Sequence, residues 1–422
     1  MKKTLSVIMA AAMVMSLTAC GGSKPAETAA PAQTEAAGAA ETESAGEAEE
    51  AAETTGEGVA KEDLKVGFVF IGDENEGYTA AHYEGAKQMK EALGLSDDQL
   101  IIKWTIPEDE TCYDAAVDLA DQGCQLIIAN SFGHEDYMKQ AAEEFPEVQF
   151  CHATGYQAAS SGLDNFHNFF TSVYESRYVS GVVAGLKLNE MMAADSSVVP
   201  KIGYVGAFPY AEVISGYTSF FLGVRSVCPE AEMEVTYTNS WASFDLEKEA
   251  AEALIADGCV LISQHADTTG APTACEAAGV PVVGYNISMI ATAPTQALTS
   301  ASISWGPYYT FAAQSVLDGT AIPADWCQGY NEGADKITEL NEGVVAEGTA
   351  EKVAEVEEAI KNGELHVFDT ATWTVGGKKA EDDAELMEKY ADYISDGYFH
   401  ESELASAPAF DIKIDGITDK TN

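Results

Sequence analysis

Positive charge is scarce in this chain of 422 residues. Its 22 Lys and Arg stand against 69 Asp and Glu, a formal net charge of −47. Nucleic acids and anionic lipid surfaces are held by clustered cations, so this balance argues against both as partners. Metal-type cysteine spacing is missing as well. Apart from Cys20, the seven cysteines (112, 124, 151, 228, 259, 275 and 327) are widely separated and form no C-x-x-C. Neither a zinc site nor a disulfide framework is supported. Cysteines inside apolar runs, such as Cys151 and Cys259, read as small buried hydrophobes. There is no Walker A loop, no G-x-S-x-G elbow, no H-E-x-x-H, and no G-x-G-x-x-G after a strand. The histidines are scattered, and Asp114 and Asp118, one helical turn apart, are better explained by a solvated face. Catalysis has no positive support, so neither an enzyme nor a cofactor is expected.

What is present begins with an address. Met1-Lys2-Lys3 precedes a mostly apolar stretch, Leu5 to Leu17. Its length suits the core of a signal peptide and is too short to span a bilayer as a helix. Leu17-Thr18-Ala19-Cys20 resembles a bacterial lipobox, which implies removal of residues 1–19 and lipidation of Cys20. A plain secretory signal is the competing reading. Residues 21–60 hold nine Glu, one Lys and no aromatic. Such a segment cannot bury enough apolar surface to offset its ordering entropy, so residues 20–60 should form a disordered acidic tether. The chain is therefore expected on the extracytoplasmic face of the cell membrane, held there by lipid.

From about residue 61 onward, enough chain remains for two domains. Apolar strand-like runs at 64–72, 100–106, 124–130, 148–154 and 166–172 alternate with helical stretches. After a helix at 175–191 the rhythm restarts, with strands at 201–206, 233–239, 260–265 and 280–286. Continuous Val/Ile/Leu strands between amphipathic helices indicate parallel sheets covered on both faces. The fold class is α/β, with two Rossmann-like lobes and a ligand cleft between them. Residues 61–174 plus about 298–370 should form the first lobe, and 175–297 the second. The run 297–305 and a helix at 306–318 should return the chain to the first lobe. A helix within 344–368 followed by a strand, and a helix at 383–395, complete the reading. Residues 371–422 are expected as a C-terminal extension packed on the lobes.

Ligands of doubly wound sheets collect beyond the carboxyl ends of strands. Here those ends carry rings and amides: Tyr78, Phe132, Phe208, Trp241, Tyr285 and Trp305, with Asn75, Asn130, Gln264 and Asn286. Rings grip a planar ligand by stacking, and amides both donate and accept at a heterocycle's edge. Any single ring is more readily explained as core or lid. Their recurrence in both lobes is what points to a clamp.

Six blocks, "GDENEGYTAAHYEGAKQM", "ANSFGHEDYMKQAAEEFPEVQFCHATGY", "YESRYVSGVVAGL", "KIGYVGAFPYAEVISGYTSFFLGVRSVCPEA", "DGCVLISQHADTTGAPTACEAAGVPVVGYNISM" and "SISWGPYYTFAAQSVLDGT", resemble the basic membrane protein family over about residues 64–370. The resemblance implies a type I periplasmic-binding-protein fold and a substrate-binding lipoprotein of an ATP-driven importer. It also implies a purine nucleoside or base as ligand, and a permease with its ATPases as partners. On the family's pattern, Tyr78 and His82 match the first turn, and Ser131 and Phe132 the loop after the third strand. Phe208 and Glu212 match the first turn of the second lobe, Trp241 an aromatic after its second strand, and Gln264, His265 and Asp267 the turn after its third. Asn286 stands where many relatives have aspartate, which leaves the ligand's identity open. Trp305-Gly306-Pro307-Tyr308 is similar to the adenine- or adenosine-like subset. A sugar or other small polar ligand, a sensory role, and a nucleosidase are the alternatives. The chain is expected to act as a monomer.

Overall fold

The computed structural model describes residues 56–420, so the signal segment, Cys20 and the tether up to residue 55 lie outside the described residues. The ordered body starts slightly before residue 61. Val59 donates its N–H to the Val316 carbonyl at 3.1 Å and sits against the core of the first lobe.

Five strands build most of the first sheet: β1 (Val66–Val69), β2 (Leu100–Lys103), β3 (Leu126–Ala129), β4 (Gln149–Ala153) and β5 (Phe166–Thr171). Helices α1 (Gly77–Leu93), α2 (Glu110–Asp121), α3 (Glu135–Glu144) and the short α4 (Ala158–Ser161) connect them. The long α5 (Val173–Ala194) then carries the chain into the second lobe. There β6 (Lys201–Gly206), β7 (Glu232–Tyr237), β8 (Leu261–Gln264), β9 (Val282–Tyr285) and β10 (Ala297–Ile303) alternate with α6 (Ala211–Val227), α7 (Phe244–Ala256) and α8 (Gly270–Ala278). Helix α9 (Gly306–Asp318) and β11 (Asp325–Gln328) return to the first lobe, and β12 (Asp335–Ile337) goes back to the second.

The first sheet runs β2-β1-β3-β4-β5-β11, and the second β7-β6-β8-β9-β10-β12. The shared order places a topological switch beside β1 and beside β6, where crevices open at strand carboxyl ends. β1, β3, β6, β8 and β9 are buried almost throughout, as strands covered on both faces must be.

The return to the first lobe comes later than residue 298. Strand β10 pairs parallel with β9 (Ala301 beside Tyr285) and antiparallel with β12, so it belongs to the second sheet. Its seven residues, mostly small and all buried, suit a strand enclosed on both sides. The crossing falls at Ser304–Trp305, after which α9 packs on α1 through Trp305, which lies against Gly85. Three crossings thus run side by side. Ser172 donates to the Gln328 carbonyl at 3.0 Å, Ser304 to the Ala334 carbonyl at 2.7 Å, and Thr171 Oγ1 to Asp335 Oδ1 at 2.7 Å.

Helix α10 (Thr349–Lys361) packs on α5 in the second lobe, but no strand follows it. Val367 and Phe368 enter the second lobe's core instead, and the segment meets a strand only at an isolated antiparallel bridge between Asp369 and Tyr398. The expected helix at 383–395 is shorter: α11 (Ala384–Lys389), capped by Asp383. Beyond it Ile394–Ser395 (β13) and Tyr398–Phe399 (β14) form a hairpin about Asp396-Gly397, both at positive φ (49° and 93°). An Asp-Gly pair favours that hairpin over continued helix. Trp373, Phe399 and Phe410 join the second lobe's core, and β15 (Ile417–Asp419) adds a parallel strand outside β7. The extension also reaches the first lobe, where Ser406 donates to Asp325.

Candidate functional site

Between the lobes lies a cavity lined by Ile71, Tyr78, Asn130, Ser131, Phe132 and Thr154 from the first, and Glu212, Trp241, His265, Asp267 and Tyr285 from the second. Every one follows or ends a strand, or sits in the first turn of the next helix, which is why residues distant in sequence meet here.

The first lobe's wall is fixed by short hydrogen bonds. Glu76 caps α1, accepting from the N–H groups of Tyr78 and Thr79. Tyr78 is thereby set with its hydroxyl donating to the Asn130 carbonyl at 2.7 Å, while Asn130 Oδ1 accepts from the Ile71 N–H at 2.9 Å. Ser131 Oγ donates to Glu108 at 2.7 Å, and the Ser131 carbonyl is held by His152 Nε2, also at 2.7 Å. Phe132 is left facing the second lobe, its ring 5.6 Å from that of Tyr210.

In the second lobe, Trp241 meets Phe208 edge to face at 5.0 Å. Gln264 turns inward, its Nε2 donating to the carbonyls of Ala266 and Thr268 and so shaping the loop that presents His265 and Asp267. Asn286, at a φ of 64°, donates Nδ2 to Asp267 Oδ1 at 2.7 Å. The lobes touch directly: the Gly77 N–H donates to the Asp267 carbonyl at 3.1 Å, and a Cβ on Gly77 would stand 2.9 Å from that oxygen.

The site is acidic. Burial pushes the Asp267 carboxyl well above the usual carboxylate range, with Glu76, Glu247 and Glu212 adding to the rise and the Asn286 hydrogen bond opposing it. Burial also raises Glu76, against its bonds to Thr79 and Tyr78. Glu247, buried under the Asp267 loop, is pushed up to about 7. His265 Nε2 lies 3.3 Å from Glu212 Oε1, yet burial, then the nearby Arg177 cation, hold the imidazole down to about 4. At neutral pH the imidazole is thus uncharged, and its contact with Glu212 is a hydrogen bond and not an ion pair. The cavity lining contains no Lys or Arg. Its carboxyl groups are those of Glu212 and Asp267.

Of the twelve residues singled out from sequence, Tyr78, Ser131, Phe132, Trp241, His265 and Asp267 line the cavity. Phe208 stands beside it against Trp241. Asn75 is exposed and bonds to Asp73. Gln264 and Asn286 lie behind the wall they shape. His82 and Trp305 are buried deeper, their rings stacked 3.8 Å apart, with His82 bonded to Tyr309. Tyr78 and His82 share a helix face, but only the first turn of α1 reaches the cleft. Five lining residues fall outside that set: Ile71, Asn130, Thr154, Glu212 and Tyr285. Asn130, Glu212 and Tyr285 already carried a strand-end or family signal. Thr154, at a φ of 67°, and Ile71 carried none beyond closing a strand.

A family model of PnrA-like ABC transporter substrate-binding proteins, Bmp, matches residues 64–370. The chain belongs to the Bmp family. A purine-binding protein of Brucella abortus (strain 2308) is 35% identical over 335 residues, covering 78% of this chain and 91% of that one. A Haloferax volcanii protein, provisionally named as a glucose-binding protein of an ABC transporter, is 30% identical over 335 residues, covering 79% and 80%. A solute-binding protein of an ABC transporter system from Aeropyrum pernix K1 superposes with a TM-score of 0.61 at 16% identity, covering 78% of this chain and 96% of that one. The two-lobed α/β architecture is that of type I periplasmic binding proteins. As a Bmp-family member, the chain is a substrate-binding protein of an ABC transporter, a class that works outside the cytoplasm on a small-molecule ligand with permease and ATPase partners. Among the described residues, no helix is long and apolar enough to cross a membrane.

Proposed function

We propose that this Bmp-family protein captures a purine base or nucleoside, adenine- or adenosine-like, by closing its lobes around the ring and handing it on unchanged to the permease. The observation that carries this reading is a cavity with rings from both lobes, Tyr78 and Phe132 against Trp241 and Tyr285, whose lining carries the carboxyl groups of Glu212 and Asp267. An exocyclic amine, a ring N–H or a ribose hydroxyl offers donors to the carboxyl oxygens of those two residues. Burying roughly 200 Å² of ring at about 25 cal/mol per Å² contributes about 5 kcal/mol. Micromolar affinity needs about 8 kcal/mol, so rim hydrogen bonds must supply the rest and offset the lost freedom of the ligand. Lipidation at Cys20 and a tether over residues 20–60 would hold a monomeric binding protein at the outer face of the membrane.

A sugar is the second reading, because its hydroxyls also suit acceptors and its C–H face also stacks on rings; the Haloferax relative carries a glucose-binding name. A thermal-shift screen of purines, pyrimidines, nucleosides and sugars, followed by calorimetry, separates them, since a ligand of the folded state raises its melting point. Adenine or adenosine should give the largest shift. A shift with glucose and none with any purine would replace the purine reading.

A further inference from the structure

Behind the second lobe's wall lies a cation that ligand contact does not explain. Arg177, near the start of α5, is 1% exposed. Its guanidinium lies 3.5 Å from the centre of the Tyr285 ring, and Nη1 donates to the Gln264 carbonyl at 2.7 Å. Nε and Nη2 have no protein partner, and among the described residues no carboxylate ion-pairs with it. His265 follows Gln264, with its ring 4.9 Å from that of Tyr285. A methyl at Gly216 would stand 3.0 Å from His265 Nδ1 and 3.6 Å from Arg177 Nε, so both nitrogens border one spot. Nδ1 also has no partner.

These positions decide between two states of the imidazole. With its proton on Nε2 the neutral ring donates to Glu212, and Nδ1 turns a lone pair toward the side where the guanidinium lies. Protonated, the ring would bury an Nδ1–H with no acceptor and set a second cation beside the first; both are costly in a dry interior. The charged and titratable groups around His265 are Glu212 from α6, Arg177 from α5 and Tyr285 from β9, with Asp267 two residues on in its own loop. Only Arg177 among them is a cation.

We propose that Arg177 is a positioning residue that keeps His265 neutral, so that Glu212 meets the cleft as an unneutralised carboxylate and selects ligands presenting N–H or O–H groups. This rests on the cavity being the ligand site. Arg177→Gln removes the charge while keeping a donor for the Gln264 carbonyl, and Arg177→Lys keeps the charge. Long-range 15N NMR of the histidine rings should find His265 neutral, with hydrogen on Nε2, from about pH 5 to 8 in wild type and Arg177→Lys. In Arg177→Gln it should titrate within that range. Adenine and adenosine affinity of Arg177→Gln should then fall about tenfold more than wild type between pH 8 and 5.5.

A neutral His265 in Arg177→Gln, with an affinity profile parallel to wild type, would overturn the proposal. So would a wild-type His265 that titrates above pH 6, a result needing no variant. If wild type binds neither purine, the purine reading fails, while the ring titration still decides what Arg177 does.

Discussion

Asn286 donates an Nδ2 hydrogen to Oδ1 of Asp267 across 2.7 Å, at the base of the second lobe's cleft wall. That amide hydrogen bond opposes the rise of a carboxyl that burial and three neighbouring acids push upward. Asn286→Asp would place a second carboxyl at hydrogen-bond distance, and two such groups cannot both ionise. Their shared folded-state pKa rises above the unfolded value, so the penalty is absent at low pH and grows as pH rises through it. The variant should melt several degrees below wild type at pH 8, with the gap closing toward pH 5. Melting curves across that range check it; a constant gap would contradict the coupling.

Glu247 gives wild type a slope of its own. Its pKa is pushed up to about 7 from an ordinary 4.5, chiefly by burial, against hydrogen bonds from Thr268 and Ser243. A raised carboxyl contributes stability that is fully present below the unfolded pKa and lost as pH rises through the folded one. Between about pH 4.5 and 7.5, Glu247→Gln should therefore lose less stability with rising pH than wild type. Urea unfolding at four or five pH values measures the difference.

Gly77 tests the approach of the lobes. Its N–H donates to the Asp267 carbonyl, and an added Cβ would meet that same oxygen at 2.9 Å. Alanine is otherwise favourable at a helix start. Gly77→Ala should leave the unliganded melting point nearly unchanged and weaken ligand about tenfold, read by calorimetry. An unaltered affinity would mean that the lobes do not meet here when loaded.

Rings in the lining and rings behind it should part company on mutation. Trp241 is half-buried at the cavity, so Trp241→Ala should weaken binding at least about tenfold with melting still cooperative. Trp305 is 1% exposed under His82. Trp305→Ala should cost about 3–5 kcal/mol of stability. Denaturant titration alongside calorimetry distinguishes the two.

That contrast marks how far the sequence could be read. Period and apolar runs sufficed for the two parallel sheets, and strand-end turns then supplied Tyr78, Phe132, Trp241 and Asp267. Which residue of a turn faces the cleft depends on tertiary docking. His82 lies one helical turn beyond Tyr78 and is covered by Trp305 and Tyr309 from the start of α9. Thr154 enters the lining through a left-handed backbone that no side-chain pattern announces. The late crossing at Ser304 was hidden for a related reason, since a run of buried small residues looks the same in either sheet.

Three parallel crossings, tied to one another at Ser172, Ser304 and Asp335, set how such a molecule can move. A single tether would let the halves swivel and slide like beads on a string. A triple strap resists shear and torsion and leaves one easy freedom, a swing about an axis through the straps. On the proposed reading of a closing cleft, the lips would return to the same register at every stroke, and a docking permease would have only two shapes to read, ajar and shut.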